Sequence, residues 1–407
     1  MKLRHLILLA CVAVPSLATI PVACSSYSSD GNGGGGTGGD SNCMTPVDND
    51  DTVPSFDGIP LPCDVLSQGG TTCVTAHSTV RVIVSGYEGP LYQLCTGGVS
   101  PGPSSCTGTT QDITAIDGYA DVATHDSFCG EDTCYITKIY DQSGNGADLE
   151  PSPKGGQKVT PDNPAKASTL PVKLNGHNAY GVLIKPGMGY RTGCNGCNIK
   201  ETNGMAVGDE PQSMYMITSG LDTVDGCCFD YGNAETTSND DGNGTMEAVY
   251  FGGGVVWGTG YGGKPGPWVM ADLENGVYAG WENGQNKLIS TNKPLTFDFV
   301  TAIVVGDTKE KNCGKGRFML YGADATGADG TFGKLTTMYD GIRPEKPGYV
   351  PMQKQGSLIL GTGGDNSSSG GGRFYEGATA IGPVITKRTA NLLHAAIVAA
   401  KYETPVL

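Results

Sequence analysis

Short apolar runs separated by glycine-rich turns recur from Pro62 to the C-terminus. Val80 to Val84, Cys134 to Tyr140, Ser213 to Thr218, Ala248 to Phe251, Phe299 to Val305, Arg317 to Tyr321 and Ser357 to Leu360 are each rich in β-branched and aromatic residues. Runs of this length, bounded by turn residues, predict strands. Gly144-Asn-Gly146, Asn275-Gly276 and Gly363-Gly-Asp-Asn366 supply turn chemistry between them. The density of short strands predicts an all-β fold, a β-sandwich of the concanavalin-like or jelly-roll type. One helix stands out: Thr386 can cap a segment rich in Ala and Leu from Lys387 to about Lys401.

The run from Trp268 to Gly276 alternates. As a strand it turns Val269, Ala271 and Leu273 to one side, the expected core face. Trp268, Met270, Asp272 and Glu274 share the other. An aromatic and two carboxylates on one face suit a sugar-cleaving cleft, since glycoside hydrolysis needs two carboxyl groups. The plainer reading is a wet strand face, because the chain holds 41 acidic residues.

Composition narrows the function classes. Gly makes up 64 of 407 residues and charged residues only 16%, in keeping with strands and tight turns. A net charge of −15 with no Lys/Arg cluster excludes a nucleic-acid footprint. No His-Glu-x-x-His, Gly-x-Ser-x-Gly or EF-hand pattern occurs, and no metal or cofactor is expected. His77 could serve a serine triad, but a hydrogen-bonded structural histidine is the simpler expectation.

The N-terminus predicts export. Lys2 and Arg4 precede an apolar stretch from Leu6 to Ile20 that is too short for a typical membrane anchor. Residues 1–23 are expected to be a signal peptide. Ala23-Cys24 raises lipidation of Cys24, although Pro21 stands where such sites usually carry an aliphatic residue. A Ser/Gly-rich tether is expected over residues 24–55 and one catalytic sandwich over 56–407.

An exported chain can hold disulfides. Twelve cysteines remain after Cys11 and Cys24 are set aside. Short-range pairing predicts Cys63 with Cys73, Cys95 with Cys106 and Cys129 with Cys134. Cys194-Asn-Gly-Cys197 reads as a surface disulfide, because no second such pair stands at zinc-site spacing. Cys43 and Cys313 are left to each other. Cys227 and Cys228 are adjacent: they can close a strained ring on each other or point to separate partners.

Pro62-Cys-Asp-Val65, the Cys73 to Arg81 run, Ile139 to Gly146, Gly208 to Pro211, Gly266-Pro-Trp268, Gly363 to Asn366 and Ala399 to Tyr402 together carry a family resemblance. Its most specific stretch is Cys-Cys-Phe-Asp-Tyr-Gly-Asn-Ala-Glu over 227–235. From about Pro62 to Tyr402 the chain resembles the catalytic domain of the fungal-type α-L-arabinofuranosidase B family, glycoside hydrolase family 54. The resemblance implies a β-sandwich and an exo-acting, retaining hydrolase that releases terminal arabinofuranose from arabinoxylan- or arabinan-type polysaccharides. It places the nucleophile on Glu274 and the general acid/base on Asp365. It makes Asp272 a substrate-binding carboxylate, with Trp257, Asn275 and Gly364 as further binding positions. It implies a vicinal disulfide between Cys227 and Cys228 in the pocket wall. The family's C-terminal arabinose-binding β-trefoil is not expected here. The alternatives are a non-catalytic carbohydrate-binding protein at the cell surface, or a glycosidase for a related furanoside or xyloside.

Overall fold

The computed structural model describes residues 60–192, 202–254, 261–262, 265–280, 288–330 and 333–405. The expected signal peptide, Cys24, the tether, Cys43, Cys194, Cys197 and Trp257 lie outside them.

Two antiparallel sheets face each other. The smaller has six strands in the order Thr72–Ser78, Glu376–Ile381, Gln212–Thr218, Val300–Gly306, Arg317–Asp324 and Thr336–Ile342. The larger has eleven. Its path starts Val277–Tyr278, Trp268–Asp272, Glu247–Gly252, Asp230–Ala234, Ser357–Leu360, Tyr190–Thr192 and continues to Thr109–Ile113.

Val300–Gly306 shows why a run can be apolar throughout. Val300, Ala302 and Val304 enter the core between the sheets with Met214, Val249, Val269 and Leu358. Ile303 and Val305 point the other way, into a second core with Leu393 and Ile397. Successive side chains on a strand alternate faces, so a strand buried on both faces carries apolar residues at every position.

The helix Lys387–Val398 covers the outer face of the smaller sheet. The Thr386 side chain accepts the Thr389 amide, as its capping position predicts. The helix ends three residues before the expected Lys401. The chain must leave it there to lay Tyr402–Glu403 beside Pro171–Leu174.

Besides the four-residue turn Lys311–Gly314, two further described helices escaped the sequence reading. Pro62–Gln68 starts on a proline, and Val122–Cys129 is capped by Asp121. Each spans about two turns, too short for a helical period to show. The expected strand from Val80 to Val84 does not form. Ser78 Oγ takes the Val80 and Arg81 amides and Gln142 Oε1 takes that of Ile83, so side chains replace a sheet ladder. Val80 and Ile83 are nevertheless buried.

The three short-range disulfides form as expected, and Cys227 is bonded to Cys228. Cys313 is also disulfide-bonded. Its expected partner, Cys43, lies outside the described residues.

Candidate active site

The strand Trp268–Asp272 carries one edge of the site. Val269, Ala271 and Leu273 face the intersheet core as expected, but the opposite face is not wet. Trp268 and Met270 pack with Cys228, Tyr250, Val277 and Ala279 in a separate apolar cluster on the outer side of the larger sheet. Asp272 lies beside them, 5% exposed.

Nor does the strand run on to Glu274. It ends at Asp272, and a hairpin turn returns the chain as Val277–Tyr278. Glu274 and Asn275 occupy the turn with φ of 57° and 53°. Two consecutive left-handed residues are the geometry of a tight hairpin of the I′ kind, where Asn is favoured and Glu is not. A non-glycine residue held in that region costs about 1–3 kcal/mol, and such residues cluster at functional sites. The turn takes Glu274 out of the strand alternation.

Asp365 stands opposite, in the turn from Gly363 to Ser369. Its Oδ1 accepts the Ser367 amide at 2.9 Å and the Ser367 hydroxyl. The turn is tied to the vicinal cysteines: Cys228 N donates to Ser367 O at 2.9 Å and Ser369 N to Cys227 O at 2.6 Å. A Cβ on Gly363 would stand 3.2 Å from both sulfurs, so glycine lets the turn lie against the disulfide.

Cys227, Asp272, Glu274, Asn275 and Asp365 line one cavity of about 610 Å³, together with Gln157, Lys158, Asp240 and the Ser367 to Ser369 run. Cys228 lies behind the wall, its Sγ 3.1 Å from Asp272 Oδ2. Asp272 Oδ1 accepts the Glu274 amide at 3.0 Å, and Tyr349 donates to the Glu274 carbonyl at 3.2 Å. Asn275 Nδ2 donates to Asp240 at 2.9 Å. Gly364 does not line the cavity but backs it. Trp257 lies outside the described residues. His77, by contrast, bonds Tyr231 and the Ala147 carbonyl deep in the core, as a structural histidine does.

Sequence reasoning assigned no role to Asp230 and Glu235, although both stand in the 227–235 run. Asp230 is fully buried, and its carboxyl faces that of Asp272. Glu235 accepts from Thr245 Oγ1 at 2.5 Å and faces Glu274. With strand alternation in mind, Asp230, Gly232 and Ala234 share one face, and the acid at the strand's start could have been marked.

Five carboxyls thus share a confined space, and burial dominates the titration of Asp230, Glu235, Asp272 and Glu274. Burial, then the carboxyls of Glu235, Asp272 and Asp365, push Glu274 up to about 11. Burial raises Asp272 to about 7 and Glu235 to about 7. Asp230 is pushed far above the carboxylate range by burial and by Asp272. The cluster therefore retains protons at neutral pH, because ionising every member would crowd like charges in a poorly solvated site.

Among the described residues, Cys227, Cys228 and Asp272 are the one His/Cys/Asp/Glu grouping close enough to share an ion. Both sulfurs are committed to a disulfide and offer no thiolate, so the donor set does not suit a metal.

Paired carboxyls in a polar cleft are the groups that glycoside hydrolysis requires. The family described as "Alpha-L-arabinofuranosidase B, catalytic" matches residues 62–403. The chain belongs to that family. It is similar to alpha-L-arabinofuranosidase B of Emericella nidulans, with 47% identity over 353 residues, 85% of this chain and 63% of the relative. It is 46% identical to a probable alpha-L-arabinofuranosidase B of Aspergillus fumigatus, again over 85% of this chain and 63% of the relative. The chain thus spans less than two thirds of these relatives' length. A crystal structure of an arabinofuranosidase complexed with arabinofuranosyl-alpha-1,2-xylobiose superposes with a TM-score of 0.73 at 42% identity, covering 84% of this chain and 65% of that one.

Proposed function

We propose that the protein is an exo-acting, retaining α-L-arabinofuranosidase with Glu274 as nucleophile and Asp365 as general acid/base. The observation that carries this reading is the meeting of Asp272, Glu274, Asp365 and the Cys227 wall in one cavity. Family membership and the sugar bound in the related structure support it.

Double displacement asks Glu274 to attack the anomeric carbon as a carboxylate while Asp365 protonates the leaving oxygen. Asp365 then takes a proton from the water that releases the sugar. In the substrate-free cluster burial and neighbouring carboxyls pull Glu274 upward, and its carboxyl faces that of Glu235. Substrate binding must redistribute those protons. Positive charge developing at the anomeric carbon favours the Glu274 carboxylate, and Glu235 stands where it can hold the displaced proton. Asp365 has Ser367 on Oδ1, which leaves Oδ2 for the glycosidic oxygen. Asp272 and Asn275 bind the sugar, and the disulfide offers it a rigid apolar face without the entropy cost of ordering a side chain.

The test is hydrolysis of 4-nitrophenyl α-L-arabinofuranoside. Glu274→Gln should lose about 10³-fold or more in kcat. Full activity in that variant would remove Glu274 as nucleophile, and binding of arabinose without any turnover by the wild type would favour a lectin. A relative from Trichoderma koningii is named an arabinofuranosidase/B-xylosidase, which favours the β-xyloside as the second substrate to assay. Disulfide formation supports export. Lipidation of Cys24 is a separate proposal, checked by palmitate labelling that Cys24→Ala should abolish.

A further inference from the structure

Arg191 is the buried cation behind the carboxyl cluster. It belongs to Tyr190–Thr192, two strands away from Asp230–Ala234, and is 1% exposed. Its side chain reaches past the intervening strand Ser357–Leu360. There Nη1 donates to the Gly364 carbonyl at 2.6 Å, Nη2 to the Glu235 carbonyl, and Nε to Ser357 Oγ at 3.4 Å.

Each of the two carbonyls sits beside one member of the reacting pair. Gly364 immediately precedes Asp365. Glu235 carries the carboxyl that faces Glu274. One planar guanidinium therefore ties the backbone of the acid/base turn to the backbone of Glu235, whose carboxyl faces the nucleophile. The fork of an Arg suits two acceptors at a fixed angle, and a Lys ammonium cannot reproduce it.

The charge is also unusual. None of the described ion pairs includes Arg191. Buried charges are ordinarily paired directly with an opposite charge. Here the N–H groups end on neutral carbonyls and a hydroxyl, which leaves the positive charge to act on the carboxyls around it. Burial pulls the guanidinium down to about 10, while Glu235, Glu274 and Asp365 favour its charged form.

We propose that Arg191 is a positioning residue for the reaction: through two backbone carbonyls it ties the Asp365 turn to Glu235, whose carboxyl faces Glu274, and its positive charge acts on the carboxyls around it. The inference rests on Glu274 and Asp365 being the reacting pair.

The experiment compares Arg191→Gln with Arg191→Lys, using the pH dependence of kcat/KM on 4-nitrophenyl α-L-arabinofuranoside, kcat and KM separately, and the thermal midpoint. A nearby cation favours carboxylates, so its removal raises their pKa values. Arg191→Gln should move both limbs of the profile to higher pH, by about half a unit or more, and lower kcat at least about tenfold with little change in KM. Arg191→Lys retains the charge but not the fork. It should leave both limbs in place while kcat still falls.

Wild-type limbs and kcat in folded Arg191→Gln would overturn the proposal. So would an Arg191→Lys variant that loses the fold, because Arg191 would then be structural only, and one that folds and keeps wild-type kcat, because the fork would then position nothing. Glu274→Gln run in parallel separates the two readings. If Glu274→Gln stays active, the catalytic assignment has failed; if it is inactive and the Arg191 variants behave as wild type, only the positioning role has failed.

Discussion

At the scale of single residues the site is a problem of crowded negative charge. Asp272 and Glu235 titrate near 7 when folded and near 4 when unfolded. A raised folded pKa gives stability that is fully present below the unfolded value and is lost as pH rises through the folded one. The thermal midpoint should therefore fall between about pH 4.5 and 7.5. Asp272→Asn keeps an acceptor for the Glu274 amide yet removes one ionisation. It should flatten that slope and stabilise the protein at pH 8 by about 2 kcal/mol, less than the full shift implies because Asp230 shares the titration. Calorimetry across the pH range checks this, and a variant with the wild-type slope would count against the assignment.

Gly364 is constrained at the same scale. A Cβ built there falls 1.6 Å from Glu235 Oε2, inside any allowed contact. Gly364→Ala must push the Asp365 turn away from Glu235, and with it the proposed acid/base. The expected result is a loss of about 10²-fold in kcat, since misplacing a catalytic group by about 1 Å has that effect. A variant with unchanged kcat would show that the turn relaxes at no cost to catalysis.

At the scale of elements, short pieces are held by covalent and side-chain devices rather than by propensity. The helix Pro62–Gln68 has seven residues, too few to be stable alone. Cys63 ties it to Cys73 at the start of Thr72–Ser78, ten residues on. The double variant Cys63→Ser/Cys73→Ser should lose about 2–3 kcal/mol from loop closure. Its thermal midpoint should drop by several degrees while kcat holds, because the disulfide lies outside the cavity that Glu274 and Asp365 line.

The elements also show where sequence patterning stops. Alternation placed Val269, Ala271 and Leu273 in the core correctly, because a strand in a sandwich must bury one face. It could not show that the other face was buried too, or that Glu274 sits in a left-handed turn. Both depend on what packs above the sheet: Cys228, Tyr250 and the Gly363 to Ser369 run. Val80 and Ile83 are buried although the strand expected there does not form. Their backbone was misjudged because Ser78 and Gln142 bond it from the side.

At the scale of the whole molecule, a net charge of −15 bears on which polymers approach. Neutral arabinan feels no long-range force, whereas a carboxylated xylan is repelled, and salt screens that repulsion within about a Debye length. Raising ionic strength from about 10 to about 300 mM should increase kcat/KM on a glucuronate-bearing arabinoxylan about two- to fivefold and leave neutral arabinan unchanged. Equal salt responses on the two polymers would show that the net charge does not act at the cavity.

The sequence by itself determined the class of fold, the three short-range disulfides, the C-terminal helix and the family. Those features are local, or repeated along the chain, or carried by runs such as 227–235. The resemblance already named Asp272, Glu274 and Asp365; tertiary structure alone added Asp230, Glu235 and Arg191 and showed how the six meet. Asp230, Glu235, Asp272, Glu274, Asp365 and Arg191 come from separate segments of the chain, brought together by strand order and two turns. The raised proton affinities of Asp230, Glu235, Asp272 and Glu274 arise only from that meeting, because burial and like charge at short range are properties of the assembled cluster and of no residue within it.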